Sequence, residues 1–462
     1  MQTFTGNIQA DSLNGAIFAI EGIKDACAIL NGPTGCKFYH SAISDSQYMR
    51  GLSFDAIQYS NSYYMGQARV PSTYLDGHDY VFGSGEKLTA ILKEIAKEDF
   101  SLIAVINSPG AALIGDDLES FLKKEISDIP YFSIENTGYS GSFSEGYQNA
   151  IIKALGSIGL GRSLEGKVFR CYDVKKTQTS EIRSDTGVNK SKESEKGECS
   201  VNLLGFNIYQ KYFSENVQAI KSLLECCGIS VVSAPGAGDK VETLQRMPEA
   251  DFNVILYPEY GKEIARWLEK TYDIPSISLE EGLPIGFDGT ESFIKQICQE
   301  VGANPERAID RINRARAKAY LHLTRYTSLL GLPKGSSFGI KAEASVCYAL
   351  TKWLCSYLGM IPAAITVLPE REEESMTRLS NFLQEIDSLE VLDNSLIETP
   401  MHILFADGST IAQTRLEGKR VCGVELTLPS LGYLDVTDKY ILGEDGALFL
   451  LEQILNGLRF IL

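Results

Sequence analysis

The chain is poor in positive charge. Its 462 residues carry 43 Lys and Arg against 60 Asp and Glu, a formal charge of −17. Nucleic-acid and anionic-membrane binders usually show a basic footprint, so neither partner is expected. Histidine is scarce: His40, His78, His322 and His402 are scattered and form no H-x-x-x-H pair. The ten cysteines include no C-x-x-C, so neither a zinc ribbon nor a thioredoxin-type site is supported. No apolar run approaches the roughly 18 residues that span a bilayer. Met1-Gln2-Thr3-Phe4 lacks the basic and apolar regions of a signal peptide. The expected compartment is the cytoplasm, where thiols stay reduced and serve packing or metals.

What is present is an ordinary globular balance, with 44% hydrophobic and 22% charged residues. The length suggests about three domains. Short apolar runs alternate with amphipathic stretches. Leu102-Ile103-Ala104-Val105-Ile106 reads as a buried parallel strand, with helical spacing before it (Leu88 to Lys97) and after it (Leu118 to Ile126). The rhythm returns at 201–205, 229–232 and 252–257, with a helical pattern from Glu259 to Tyr272, and again at 401–405 and 420–424. Repeated βα units imply an α/β fold with parallel sheets and helices on both faces. Lys175 to Gly197 is polar, charged and nearly free of large apolar residues, so a linker or insertion is expected there. The expected organisation is a first domain over 1–174, a linker over 175–200, a second domain over 201–304 and a third over 305–462. The third opens with a long helix from Pro305 to Leu330, stopped by Gly331-Leu332-Pro333. Its arginines, Arg311, Arg314 and Arg316, read most simply as a solvated face.

The most informative segment is Ile29-Leu30-Asn31-Gly32-Pro33-Thr34-Gly35-Cys36. A helix is expected to reach about Leu30 and stop at Asn-Gly-Pro. Cys36 then lies in a Gly-flanked loop, where backbone can approach a bulky group. A thiolate there suits a soft metal or an iron–sulfur cluster. A small buried hydrophobe is the competing reading. His40 could tune a cluster by hydrogen bonding or be a satisfied structural histidine. Cys27, Cys226-Cys227, Cys347 and Cys355 read as core packing, although Cys27 could approach the same site. Asp116-Asp117, after Gly115, read as helix-capping carboxylates. Pro235-Gly236-Ala237-Gly238-Asp239-Lys240 lacks Walker spacing, so no ATP site is assigned.

Gly32-Pro33-Thr34-Gly35-Cys36 resembles the glycine–proline–x–glycine–cysteine loop of nitrogenase component 1 proteins. Val81-Phe82-Gly83-Ser84 with Leu88 resembles that family's Val-Phe-Gly-Gly segment, with Ser84 replacing the second glycine. Leu113-Ile114-Gly115-Asp116-Asp117 is similar to its Leu-Ile-Gly-Asp-Asp turn. Further similarity lies at 136–142 with Gly146, at 201–205 and at Gly443-Glu444-Asp445-Gly446. The resemblance covers nearly the whole chain in order. It implies three Rossmann-like domains around a central cleft, with Cys36 at a subunit interface. It further implies a β-like oxidoreductase subunit paired with an α-like partner, as in an α2β2 hetero-oligomer. Cys36 would be a metal and cofactor ligand to an iron–sulfur cluster, of the 4Fe–4S kind, shared with that partner. A separate ATP-dependent iron–sulfur reductase would supply electrons.

The chain also departs from the pattern. Ala10 and Pro109 stand where the family's other interfacial cysteines would lie. Tyr257 and Leu442 fall near the places of the cysteine and histidine that hold the α subunit's active-site cofactor, so no such cofactor is assigned. Two alternatives follow: a metallocofactor-assembly scaffold, and a cluster-free interaction subunit.

Overall fold

Each apolar run of the βα rhythm forms a parallel strand because its backbone groups can be satisfied only by neighbouring strands once both faces are covered. The computed structural model describes residues 10–37, 70–135, 141–161, 199–370, 372–431 and 435–461. His40, the loop at 136–140 and the polar stretch Lys175 to Gly197 lie outside them. Three parallel sheets result. The first contains β1 (Ala26–Asn31), β2 (Leu102–Asn107) and β3 (Tyr131–Ile134), in that order. The second contains β4 (Cys199–Leu204), β5 (Ile229–Ser233), β6 (Phe252–Ile255) and β7 (Ser276–Ser278), in the order β5-β4-β6-β7. The third contains β8 (Ser337–Ala342), β9 (Ile361–Val367), β10 (Ile403–Asp407) and β11 (Cys422–Thr427), in the order β11-β10-β8-β9.

Leu30 also bridges in parallel to Ser72, on the side of β1 away from β2. With that bridge counted, all three sheets share one plan: the second segment lies outside the first, and the third and fourth lie on the first's other side. In such open sheets ligands bind at the carboxyl ends of the two strands where the order reverses. The reversal falls between β1 and β2, between β4 and β6, and between β8 and β10.

One expectation is overturned. Residues 26–31 form β1, not the end of a helix. All six are buried, so the run shows no polar face from which a period could be read. The alternation appears only in the packing. Cys27 and Ile29 face a core containing Leu88, Leu92, Leu118 and Leu122. Ala28 and Leu30 face the opposite side, against Ile17 and Phe18 of the Ser12–Glu21 helix.

That helix is capped by Asp11, which accepts from the Asn14 N–H at 3.0 Å. It crosses the Phe143–Ser157 helix, capped in turn by Ser142 and Glu145 in a reciprocal box. The crossing depends on two glycines. A Cβ on Gly15 would overlap the Phe143 carbonyl, and one on Gly146 would overlap the backbone of Ser12. Gly146→Ala is therefore expected to cost about 1–3 kcal/mol through forced separation of the helices. Urea unfolding checks this, with the exposed Gly156→Ala as control, since open space surrounds Gly156.

The Gly-rich turn at 235–240 has a packing role. Gly238 N–H donates to the Gly22 carbonyl at 2.8 Å, Lys24 N–H donates to the Asp239 carbonyl at 2.9 Å, and Tyr147 packs on Gly236. It is the seam between the first and second sheets. The Glu306–Leu330 and Gly443–Ile461 helices both pack on the Gly286–Val301 helix and on the Phe213–Cys226 helix. The last helix also packs on β11, so the chain's end ties the third sheet to the second. No helix among the described residues is long and apolar enough to cross a membrane.

Candidate functional site

Cys36 lies just beyond the carboxyl end of β1, at the first reversal point. A buried polar network holds the strand ends. Asn31 Nδ2 donates to Asn107 Oδ1 (2.9 Å) across the β1–β2 pair and to Ser84 Oγ (3.0 Å). Thr73 Oγ1 donates to Asn31 Oδ1 (2.9 Å) and accepts from Gly32 N–H (2.9 Å). Ser84, the residue replacing the family's glycine, donates through Oγ (2.7 Å) and N–H (2.6 Å) to Asp116. Each buried polar group thus meets a partner, which fixes where the following loop begins. Asp117 caps the Leu118–Glu125 helix through the Ser120 N–H (3.1 Å), so of the Asp116-Asp117 pair one caps a helix and the other anchors Ser84.

Gly32 has a separate reason to be glycine. A Cβ there would overlap the Ser108 side chain. Ser108 is held by its N–H to the Asn31 carbonyl (2.8 Å) and caps the short Pro109–Ala112 helix. After Pro33 the chain makes one 3-10 turn, Thr34–Lys37, with Cys36 N–H donating to the Pro33 carbonyl (3.1 Å). The Cys36 side chain is half-buried. Burial pushes its thiol above the usual cysteine range, a hydrogen bond with Ser108 opposes this, and the nearby Asp11 charge adds to it. Ser108, through a hydrogen bond, and Asp11, through its charge, both act on the Cys36 thiol, and their chain neighbours are Pro109 and Ala10.

The other cysteines lie elsewhere. Cys27 is buried at the far end of β1, about 13 Å of strand from Asn31. Cys347 and Cys355 sit on the Ala344–Ser356 helix, where burial raises both thiols, Cys355 to about 12. Cys226 ends the Phe213–Cys226 helix beside Arg311, and Cys227, next to Cys298, donates through Sγ to the Leu223 carbonyl (3.6 Å). Tyr257 and Leu442 are buried, with the Tyr257 ring packed on Phe206 at 5.5 Å. Among the described residues no cluster of three or more His, Cys, Asp or Glu could hold a metal.

The donor set is thus one thiol. A cluster needing about four ligands is not held by the described residues of this chain alone. One thiol fills at most one of those ligand positions. The surface beside it suits a contact. Val81, Phe82 and Leu113 are 73%, 74% and 77% exposed, and Tyr80 covers Gly110 just before Leu113. Large apolar side chains clustered on an exposed edge mark an interaction surface.

Comparison with known proteins bears on this arrangement. The family model for nitrogenase component 1 type oxidoreductase matches residues 12–459. The chain belongs to that family. Curated relatives include the B-type subunit of light-independent protochlorophyllide reductase from Methylocella silvestris, 34% identical over 106 residues, covering 23% of this chain and 20% of the relative. Its counterpart from Rhodospirillum rubrum is 36% identical over 108 residues, 23% of this chain and 19% of the relative. That from Synechococcus sp. WH7803 is 33% identical over 131 residues, 28% and 24% of the two chains. The matched segments thus span about a quarter or less of these relatives' own length. Among solved structures, nitrogenase Cp1 at pH 6.5 superposes with a TM-score of 0.70 at 17% identity, covering 97% of this chain and 91% of that one. The protein is therefore a nitrogenase-like oxidoreductase by family, with that family's α/β fold of Rossmann-like units. Iron–sulfur binding is typical of the family.

Reasoning from sequence missed Ser108, Asp11 and the Asn31–Asn107 pair. A signal existed for the asparagines: each closes an otherwise apolar run immediately before a Gly-Pro or Ser-Pro turn. Nothing in the sequence set Asp11 apart as a neighbour of Cys36.

Proposed function

We propose that this chain is a β-like subunit of a nitrogenase-like reductase. It would relay electrons from an ATP-dependent iron–sulfur reductase, through a 4Fe–4S cluster shared with an α-like partner, to a substrate site on that partner. The observation that carries the reading is the position of Cys36: half-buried at the first reversal point, beside an exposed apolar rim. A bound cluster supplies one-electron transfer. The chain's own residues do the rest. Cys36 offers one sulfur ligand, and Ser108 hydrogen-bonds that sulfur and orients it. The network from Thr73 to Asp116 holds the loop, and Val81, Phe82 and Leu113 exclude water when covered.

The test is anaerobic co-purification with the α-like partner, followed by iron analysis and low-temperature EPR of wild type and Cys36→Ala. About four irons per heterodimer and a reduced-cluster signal altered by the substitution support the reading. An unchanged cluster removes Cys36 as a ligand. Ala10 and Pro109 favour a second reading, a cluster-free interaction subunit, which an intact complex without iron would support. Iron without steady-state reduction would point instead to an assembly scaffold.

A further inference from the structure

The Glu306–Leu330 helix is buried along its first half through Ala308, Ile312, Ala315 and Ala319. Beyond Ala319 only Leu323 and Tyr326 are half-buried against the core, and the rest of the helix is exposed. Tyr320, Leu321, Leu329 and Leu330 are 64%, 72%, 72% and 57% exposed. The charge is one-sided as well. No Asp or Glu occurs between Asp310 and Glu343, in a chain where acidic residues otherwise outnumber basic ones.

The basic residues of this stretch divide into two kinds. Arg311 pairs with Glu444 and Asp445, and Arg316 with Asp288 (3.0 Å) and Glu291 (2.7 Å), so both are tied into the fold. Arg314, Lys318, Arg325 and Lys334 are exposed and make no ion pair among the described residues. Arg314, Lys318, Leu321, Arg325 and Leu329 recur at steps of three or four, which places them on one face of the helix. Two open grooves lie to one side of that face, and of its residues only Lys318 and Leu321 line either. One, of about 640 Å³, runs between the helix and the Pro333–Lys334 and Ser356–Gly359 turns. The other, of about 540 Å³, is lined by Ala317, Tyr320, Leu321 and Tyr357 among others. Tyr320 and Tyr357 border both.

We propose that this face docks an acidic, amphipathic segment of a partner protein. Its apolar side chains enter the grooves beside Tyr320, and its carboxylates meet Arg314, Lys318, Arg325 and Lys334. The argument is charge complementarity joined to apolar area. Arg314, Lys318, Arg325 and Lys334 form no ion pair among the described residues, and beyond Asp310 the helix carries no acidic residue, so this stretch calls for carboxylates. Exposed leucines and tyrosine-lined grooves call for a segment with an apolar face, as in helix-in-groove recognition. A second copy related by a two-fold axis through this helix is disfavoured, because Arg314, Lys318 and Arg325 would meet their own copies. The surface lies on a different unit from Cys36, and the proposal does not depend on the function proposed above.

Fluorescence anisotropy on the full chain tests it, using labelled synthetic helical peptides of about 18 residues, or five turns. One peptide is a Glu/Leu amphipath, and the other has every Glu replaced by Lys. The acidic peptide is expected to bind, with affinity falling as salt is raised, and the Lys peptide is not. The combined variant Arg314→Glu, Lys318→Glu and Arg325→Glu should weaken binding at least about tenfold. Leu321→Asp should do the same while leaving circular dichroism unchanged, and Lys318→Gln should give a smaller loss. The proposal is overturned if the two peptides bind alike or if the variants bind as wild type does. It also fails if Leu321→Asp alters the chain's own sedimentation, or if an RNA oligonucleotide or anionic vesicles bind this face more tightly than the acidic peptide.

Discussion

Lys211→Met is expected to destabilise the protein by about 3–5 kcal/mol, because it leaves a buried carboxylate without its cation. The Lys211 and Glu425 side chains are 1% and 2% exposed, and their charged atoms lie 2.7 Å apart. Lys211 Nζ also donates to Ser430 Oγ (2.6 Å) and pairs with Asp435 (3.1 Å), while the second Glu425 oxygen accepts from Leu431 N–H (2.9 Å). Every donor and acceptor of the pair is used, which is the condition under which a buried ion pair offsets its desolvation. The pair joins the loop after β4 to β11, so it clamps the second sheet to the third. Urea midpoints of wild type, Lys211→Met, Glu425→Gln and the double variant provide the check. The double variant should recover much of the loss. If Lys211→Met unfolds at the wild-type midpoint, the clamp contributes nothing.

Raising the pH from about 5 to 8 should cost about 2–3 kcal/mol of stability through Glu259, and Glu259→Gln should flatten that slope. Glu259 lies in the first turn of the Pro258–Tyr272 helix, where it accepts from Ser345 N–H (2.8 Å) and Oγ (2.9 Å) of the facing Ala344–Ser356 helix. Burial pushes its carboxyl up to about 7, the Ser345 hydrogen bonds oppose this, and the Glu343 charge adds to it. Glu343 is itself buried and raised, and it accepts from the Tyr260 hydroxyl (3.2 Å). Because the folded pKa lies above the unfolded value of 4.5, the native state holds the proton longer. The contribution is complete below that unfolded value and is lost as the pH rises through about 7. Denaturant unfolding across this range measures it. An equal slope in Glu259→Gln would assign the effect to Glu343 or another group.

Both predictions rest on charges that the sequence marked only faintly. Glu425 sits inside the apolar strand Val424-Glu425-Leu426, which is a visible anomaly. Lys211, in Tyr209-Gln210-Lys211-Tyr212, is not. Its burial arises because a residue 214 positions away folds against it. The Cys36 site shows the same division. The Gly-Pro-Thr-Gly-Cys loop and its neighbours identified the family, since such motifs encode backbone geometry locally. Ser108 and Asp11 come from separate segments, brought to the thiol by the β1–β2 pairing and by the packing of the Ser12–Glu21 helix respectively.

Local chemistry therefore determined the βα rhythm, the helix stop at Gly331, the capping role of Asp117 and the single thiol on a glycine-flanked loop. Each follows from residues within a few positions of one another. Tertiary structure decided that 26–31 is a strand, because an all-apolar run carries no period until neighbours take its hydrogen bonds. It decided too that Asp11 and Ser108 act on the Cys36 thiol, and that Lys211 and Glu259 are buried. Those outcomes depend on which surfaces exclude water together, and that is a property of distant segments in contact.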